Sequence, residues 1–307
     1  MSFSAPRSYR SDEHDLPRML TLLRDRWLDA APEPDDFHPG DVLWQRFQHE
    51  DQISRWFERV LLWEHDDRLL GFTILYPKNG EIAFCMAGNV EDDPELMGQM
   101  VQANRDLAPR LDSDPSALTT GAFPASALER SLLALGSQPV DEPFFRMNGR
   151  DLRSDDLLDA PLPDGWIVRP VAEPEEYEGR VEVHRAAFEQ SKVTVAAYAR
   201  MREMPGYDAD LDLVAVGPDG AIASFAIAWF DAETKTALFE PVGALPEYRR
   251  RGLTRAVLIE ELRRLRERGA TRVYVNSLEE SAAAIGLYES AGFRQVQRLQ
   301  LFALPAR

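Results

Sequence analysis

Cys85 is the one thiol in 307 residues. That excludes an internal disulfide framework and a zinc cluster built on thiolates. The five histidines are scattered without the spacing of a ligand set, so no metal is expected. No run of about 18 apolar residues is present, which leaves no membrane-spanning helix to expect. The N-terminus, Met-Ser-Phe-Ser-Ala-Pro-Arg-Ser, lacks a hydrophobic signal region, and a cytoplasmic, metal-free protein is the expectation. Lysine is nearly absent as well (Lys78, Lys192 and Lys235) although arginine is abundant. We read that imbalance as a genomic bias.

Acid is plentiful. The net charge is −17, and it is unevenly placed. Residues 1–160 carry 16 Lys+Arg against 30 Asp+Glu, a balance of −14, while residues 161–307 carry 19 against 22, a balance of −3. A nucleic-acid binder would show a basic face, so that class of partner is disfavoured. The chain length predicts two domains of ordinary size. A polar stretch from Gly149 to Asp164, ending in Pro161, Pro163 and Gly165, reads as a linker. The expected division is therefore 1–150, linker 151–164, and 165–307.

The two halves repeat one order of elements. In the C-terminal half, strands are expected over 211–216 and 222–230 around Pro218-Asp219-Gly220, followed by a strand over 236–245. In the N-terminal half the same order is 60–64, the turn Asp66-Asp67, 69–76 and 81–87. Both halves close with a helix ending in glycine, Gly136 and Gly292, where a left-handed cap belongs. The offset of about 150 residues points to duplication of a whole domain.

One stretch is not duplicated. Glu240 to Arg255 reads Glu-Pro-Val-Gly-Ala-Leu-Pro-Glu-Tyr-Arg-Arg-Arg-Gly-Leu-Thr-Arg. A strand, an Arg/Gly turn and a helix start, with Val257, Leu258, Leu262 and Leu265 on one side, make a site for phosphate. Backbone N–H groups point out of the first turn, and the helix dipole favours negative charge. Arginines at a helix start are electrostatically wrong unless an anion sits there. The N-terminal half instead reads Gly88-Asn89-Val90-Glu91-Asp92-Asp93-Pro94-Glu95. A helix starting with those acids would repel a pyrophosphate.

Arg249-Arg250-Arg251-Gly252-Leu253-Thr254 resembles the central signature of the GNAT superfamily of acyltransferases, Arg/Gln-x-x-Gly-x-Gly/Ala, with Thr254 at the last position. Ser281 to Phe293, with Ala284, Leu287, Tyr288, Gly292 and Phe293 in place, is similar to the family's second signature, with Ser281 where asparagine is usual. The resemblance covers 165–307. The tandem order with a degenerate first copy resembles mycothiol synthase-like proteins. The resemblance implies an α/β (α+β) fold of two tandem GNAT-like domains, each a mixed, mostly antiparallel sheet flanked by helices, with splayed central strands.

It also implies acetyl-CoA as the acyl-donor cosubstrate, with Arg249, Arg250, Arg251, Gly252, Leu253, Thr254 and Arg255 around its pyrophosphate. Val242, Gly243 and Ala244 would offer backbone groups to the pantetheine arm. Pro241, which cannot donate to a ladder, either marks the family's bulge or ends the strand. Asn276 would bond substrate or pantetheine, the alternative being a plain strand-end asparagine, and Ser281 would complete the cofactor site. Tyr288 would protonate the leaving thiolate, the alternative being a core aromatic. Glu240, four residues before Ala244 and so expected on the same face, either takes a proton from the acceptor amine or only binds a cationic substrate. His184 reads as a packed or surface histidine rather than a base. The implied activity is direct N-acetylation of a small-molecule amine in the C-terminal domain by a monomer or homodimer. A mycothiol-synthase-like acetylation of a cysteinyl sugar and a non-catalytic acetyl-CoA sensor are the alternatives.

Overall fold

The computed structural model describes residues 3–47, 50–141, 145–153, 158–172, 174–189 and 191–305. The expected linker at 151–164 lies partly outside them. The chain forms two compact units, and neither is one continuous stretch. The first comprises 1–38, 55–146 and 297–307, and the second comprises 39–54 and 147–296. Each half of the sequence thus lends a segment to the other half's unit.

In the first unit, β1 (Arg7–Ser8), β2 (Val60–His65), β3 (Arg68–Tyr76) and β4 (Glu81–Met86) pair antiparallel in that order. The β2–β3 turn is Asp66-Asp67 with φ of 48° and 61°, the double left-handed geometry of a tight hairpin. β5 (Thr119–Ala122) meets β4 in parallel only at Glu81↔Thr119. On its other side β5 pairs antiparallel with the end of the last strand, and β6 (Gln138–Pro139) pairs that strand too. α1 (Leu16–Ala30), α4 (Pro94–Leu107) and α5 (Ala127–Ala134) belong to this unit. Trp63, Met86, Met97, Met100 and Phe302 share its core.

The second unit contains α2 (Pro39–Gln45) and part of α3 (Glu50–Arg59). Its sheet runs β7 (Phe145–Asp151), β12 (Arg272–Leu278), β11 (Thr236–Ala244), β10 (Ile222–Asp231), β9 (Asp212–Val216), β8 (Ile167–Pro170). β13 (Arg294–Ala303) begins in this unit and ends in the first. β8 to β11 are antiparallel neighbours and β11–β12 is parallel. α6 (Tyr177–Ala187) packs with Val214, Val216 and Phe225 on one face, and α7 (Val195–Arg202) packs on α6. α8 (Leu253–Glu267) and α9 (Ala282–Ser290) pack on the other face with Phe239, Val273 and Phe293.

α8 follows directly from its sequence. Val257, Leu258, Leu262 and Leu265 are all buried, the apolar stripe of a core-facing helix. Glu260 and Arg264 form an i,i+4 ion pair on its outer side, and Gly269 at φ +91° ends it. The expected cap glycines recur in both units. Gly136 and Gly292 both have φ +86°, and in each the next residue reaches back to the last turn, Ser137 N–H to Leu132 and Phe293 N–H to Tyr288. The acidic helix start is displaced from the expected position. α4 begins at Pro94, so Glu91 and Asp92 precede it and Asp93 is its N-cap. Proline suits the first helical turn because that N–H has no partner to lose.

Candidate functional site

The site grows from the strand that carries Glu240. β11 stays paired with β10 as far as Ala244, but its ladder with β12 stops at Leu238 and Tyr274. Beyond that point the two parallel strands part, and an extended ligand can use the backbone groups of the freed edge. Pro241 marks a bulge. The β10–β11 register shifts between Ala226 and Ala228, so Glu240 and Pro241 stand opposite Ile227 alone. A proline N without hydrogen costs nothing there. The Trp229 indole N–H holds the Glu240 carbonyl at 2.7 Å.

The bulge corrects the expected alternation. Phe239 packs with the α8 side, so Glu240 takes the α6 side. After the extra residue, Gly243 stands opposite Phe225 on the α6 face, and Ala244 stands opposite Ser224 with Val242 opposite Ala226 on the α8 face. Glu240 and Ala244 therefore do not share a face. Gly243 is required by packing. A Cβ there would lie 2.7 Å from the Ala187 Cβ and 2.8 Å from Cε1 of Phe225. Gly243→Ala should cost about 1–3 kcal/mol, read as a lower denaturant midpoint; an unchanged midpoint would reject the tight α6–β11 contact.

Downstream, Pro246–Tyr248 forms one 3-10 turn and Arg249 is extended. Arg250 has φ +62° and Gly252 φ +80°. A Cβ on Gly252 would meet nothing within 4 Å, so this glycine serves the left-handed backbone rather than packing. α8 then starts with no side-chain cap and no acid in its first turn. Arg249, Arg250 and Arg251 are exposed and form no ion pair among the described residues. Arg249 Nε reaches the Ala244 carbonyl at 3.4 Å, and the Arg251 guanidinium lies 5.1 Å from the Tyr248 ring. Cations gathered at a positive helix end, with the end itself uncapped, are arranged for an anion. Arg255 differs from its neighbours, because its guanidinium is bonded to the Ser290 and Asp159 carbonyls, each at 2.8 Å.

α4 shows the opposite arrangement at the equivalent point of the first unit. The Asp93 carboxylate accepts from the Glu95 and Leu96 N–H groups at 2.9 and 3.1 Å. The helix start is filled by the protein's own anion.

Around Glu240 the structure brings a residue that sequence reasoning missed. Asp41, in the first turn of α2 and only 6% exposed, is hydrogen-bonded to the Glu240 side chain. Burial first, and the Asp41 carboxylate second, push the Glu240 carboxyl well above the ordinary carboxylate range. The Tyr288 phenol is buried in the core with Phe239 and Phe293, 6.1 Å from the Phe293 ring. Burial, and then Glu240, push it above the ordinary tyrosine range, so it holds its proton at any physiological pH. Asn276 is partly buried on β12, between Val275 and Ser277, whose polar atoms accept from Asn148. Ser281 occupies the N-cap of α9 without a side-chain cap bond.

On the α6 side, next to Glu240's strand, a small cavity is lined by Trp44, Arg180, His184, Tyr198, Met201 and Ile227, among others. His184 is the packed histidine that its helical pattern implies. It is 3% exposed, hydrogen-bonded to Ser191 at 2.8 Å and set against Trp44, Phe188 and Phe225. Beneath the cavity, Asp212 accepts from Arg180 Nε at 3.2 Å and from the Tyr207 and Tyr198 hydroxyls.

Known proteins resemble this chain over the same segment. Residues 177–293 match the acetyltransferase (GNAT) family. The match covers a little over a third of this chain. The mycothiol acetyltransferase of Nocardia farcinica (strain IFM 10152) is 27% identical over 254 residues, 76% of this chain and 79% of that protein. A ribosomal protein bS18-alanine N-acetyltransferase of Escherichia coli (strain K12) is 38% identical over 77 residues, 25% of this chain and 51% of that protein. The chain thus spans about half of that second relative. A solved tandem GNAT protein from the clavulanic acid biosynthesis pathway superposes with a TM-score of 0.67 at 16% identity, covering 100% of this chain and 98% of that one. At that identity the likeness is one of fold, and the fold is a tandem GNAT fold.

In the second unit the expected residues fall into three places. Glu240 and Tyr288 are near enough for the Glu240 carboxyl to help push the Tyr288 phenol up. Arg249 to Thr254 form the turn at the start of α8. Asn276 and Ser281 sit on β12 and at the start of α9, and nothing ties them to Glu240. Among the described residues no group of His, Cys, Asp and Glu could hold a metal, and no helix is long and apolar enough to cross a membrane.

Proposed function

We propose that this protein is an acetyl-CoA-dependent N-acetyltransferase for a small-molecule amine, with its active site in the C-terminal GNAT domain. The observation that carries the reading is the unfilled start of α8, where Arg249, Arg250 and Arg251 stand without carboxylate partners. The backbone of Leu253, Thr254 and Arg255, with those arginines, would hold the pyrophosphate of acetyl-CoA. The β11 edge at Val242, Gly243 and Ala244 would hold its pantetheine arm. Acetyl-CoA supplies the activated acetyl thioester. Glu240 receives the proton lost by the attacking amine, and Tyr288, whose proton stays in place until a thiolate develops, donates to the leaving sulfur. The fixed backbone and the two side chains align the reactants.

The relative from Nocardia, similar across most of both chains, favours a second reading in which the acceptor is the amine of a cysteinyl sugar. Acetyl-CoA at about 100 times its Kd should stabilise the protein by about 2.7 kcal/mol, seen as a rise in Tm, and reversing charge at Arg250 and Arg251 should remove most of that rise. Turnover on a panel of simple amines and a cysteinyl glycoside would then separate the two acceptor classes. Stabilisation without turnover on any of them would leave only a cofactor sensor. No stabilisation by acetyl-CoA would sink the reading.

A further inference from the structure

We propose that Asp41 is a positioning residue for Glu240, a second carboxylate that fixes where Glu240 points and when it accepts the acceptor's proton. This rests on the reading of Glu240 as proton acceptor. Asp41 lies far away in sequence, in the half whose own anion site is closed, yet segment 39–54 belongs to the second unit. α2 packs on β10 and β11. It is anchored there by Leu43, which fills the space beside Gly206 (a Cβ there would come within 2.6 Å), and by Trp44, whose ring lies 5.7 Å from that of His184. These contacts hold α2 against β10 and β11, with Asp41 hydrogen-bonded to the Glu240 side chain.

The geometry dictates the chemistry. A side chain 6% exposed and hydrogen-bonded to a second carboxyl cannot share the site with a second full negative charge at ordinary cost. In the proposal one proton is shared between the two groups and rests on Glu240, whose carboxyl is pushed up by burial and by Asp41. The other groups around Glu240 do not replace this role. α9 brings Tyr288, a neutral phenol. α6 brings His184 into the adjoining cavity, bonded to Ser191. β10 brings Asp231 and β12 brings Arg272 to the paired end of β11, away from the bulge, and Tyr207 stands edge-on to Trp229.

In the transfer step the amine nitrogen forms a bond to the acetyl carbon and the carbon–sulfur bond breaks. The amine proton goes to the ionised Glu240, and the sulfur takes the Tyr288 proton. Asp41 neither gains nor loses a bond in this step. Its charge makes Glu240 a stronger base than an ordinary glutamate, so kcat/KM rises with pH through the ionisation of Glu240.

The test is the pH profile of Asp41→Asn in the full chain. The asparagine keeps the shape and can hydrogen-bond, but it removes the charge. Its acidic limb should move down by about one pH unit or more, with a lower plateau because Glu240 becomes a weaker base, and Asp41→Glu should bring the limb back toward its original position. A merely structural role would lower the rate at every pH and leave the limb in place, and that outcome overturns the proposal. A second measurement needs no turnover. In protein labelled with 13C at glutamate carboxyls, the resonance missing from Glu240→Gln should titrate above the ordinary glutamates in wild type and lower in Asp41→Asn. Titration among the ordinary glutamates overturns the proposal, whereas absence of turnover on every amine would count only against the assigned activity.

Discussion

Glutamine at position 240 should lower kcat/KM by about 10²- to 10³-fold, the range expected when a positioned proton acceptor is lost, and leave the stabilisation by acetyl-CoA unchanged. The separation is physical. Glu240 stands at the bulge and faces Asp41, whereas the proposed cofactor contacts come from the backbone after the bulge and from the α8 start. The amide has nearly the size of the carboxyl and can donate to Asp41, so α2 keeps its anchor and the backbone hydrogen bond from Trp229 persists. What disappears is the ability to take a proton, and with it the acidic limb of the pH profile. The sign follows from the raised ionisation of Glu240. At low pH the wild-type residue is protonated and idle, so wild type and variant converge there, and the gap opens as pH rises. Equal rates across the whole pH range would show that Glu240 only binds substrate, and loss of cofactor stabilisation would show that the bulge and the cofactor site are one structure.

Much of this site is legible in the sequence because it is local. The Arg249 to Thr254 turn, its glycine at positive φ and the apolar stripe of α8 are close neighbours along the chain, and short-range geometry fixes them. Pro241 announces a break in the ladder for the same reason. The alternation across that break is not legible, since one inserted residue reverses every later side chain, and a strand pattern cannot show which partner residue is skipped. Asp41 is illegible for another reason. Its neighbours in sequence belong to a half whose repeat pattern assigns it to the first domain, and only the packing of α2 on β10 and β11 brings it to Glu240. The self-capped start of α4 was readable as acidic. That Asp93 alone does the capping, with Glu91 and Asp92 before the helix, depends on Pro94 setting the first turn.

Buried charge is where composition misleads most. Glu261 falls on the buried side of α8 between Leu258 and Leu262, where the stripe would call for an apolar residue. It is fully buried, with neither carboxyl oxygen hydrogen-bonded. Burial first, then Asp212, push its carboxyl well above the ordinary range, so it is held neutral. Asp212 is the anion this region keeps. It is fully buried and binds Arg180 and the Tyr207 and Tyr198 hydroxyls, with Arg202 at 3.7 Å. The Arg180 guanidinium lies 3.5 Å from the centre of the Phe225 ring.

Asp212→Asn should therefore cost about 3–5 kcal/mol in denaturant unfolding, because a buried cation loses its one full counter-charge while remaining out of water. The loss should be partly repaired from within. Without Asp212 the second of the two causes that raise Glu261, after burial, is gone, and Arg180 and Arg264 favour its charged form. Glu261→Gln is then nearly silent in the wild-type background and destabilising in Asp212→Asn, a non-additivity that a double-mutant cycle reads directly. Additive effects would mean that Glu261 stays neutral whatever Asp212 does, and that the two acids are independent. The same variant bears on function, since Arg180 and Tyr198 line a small cavity with Ile227, the residue opposite Glu240 across the bulge. Loosening their common partner should raise KM for the amine and leave the cofactor's stabilising effect unchanged, which places the network under the acceptor side of the site rather than under the arginine turn.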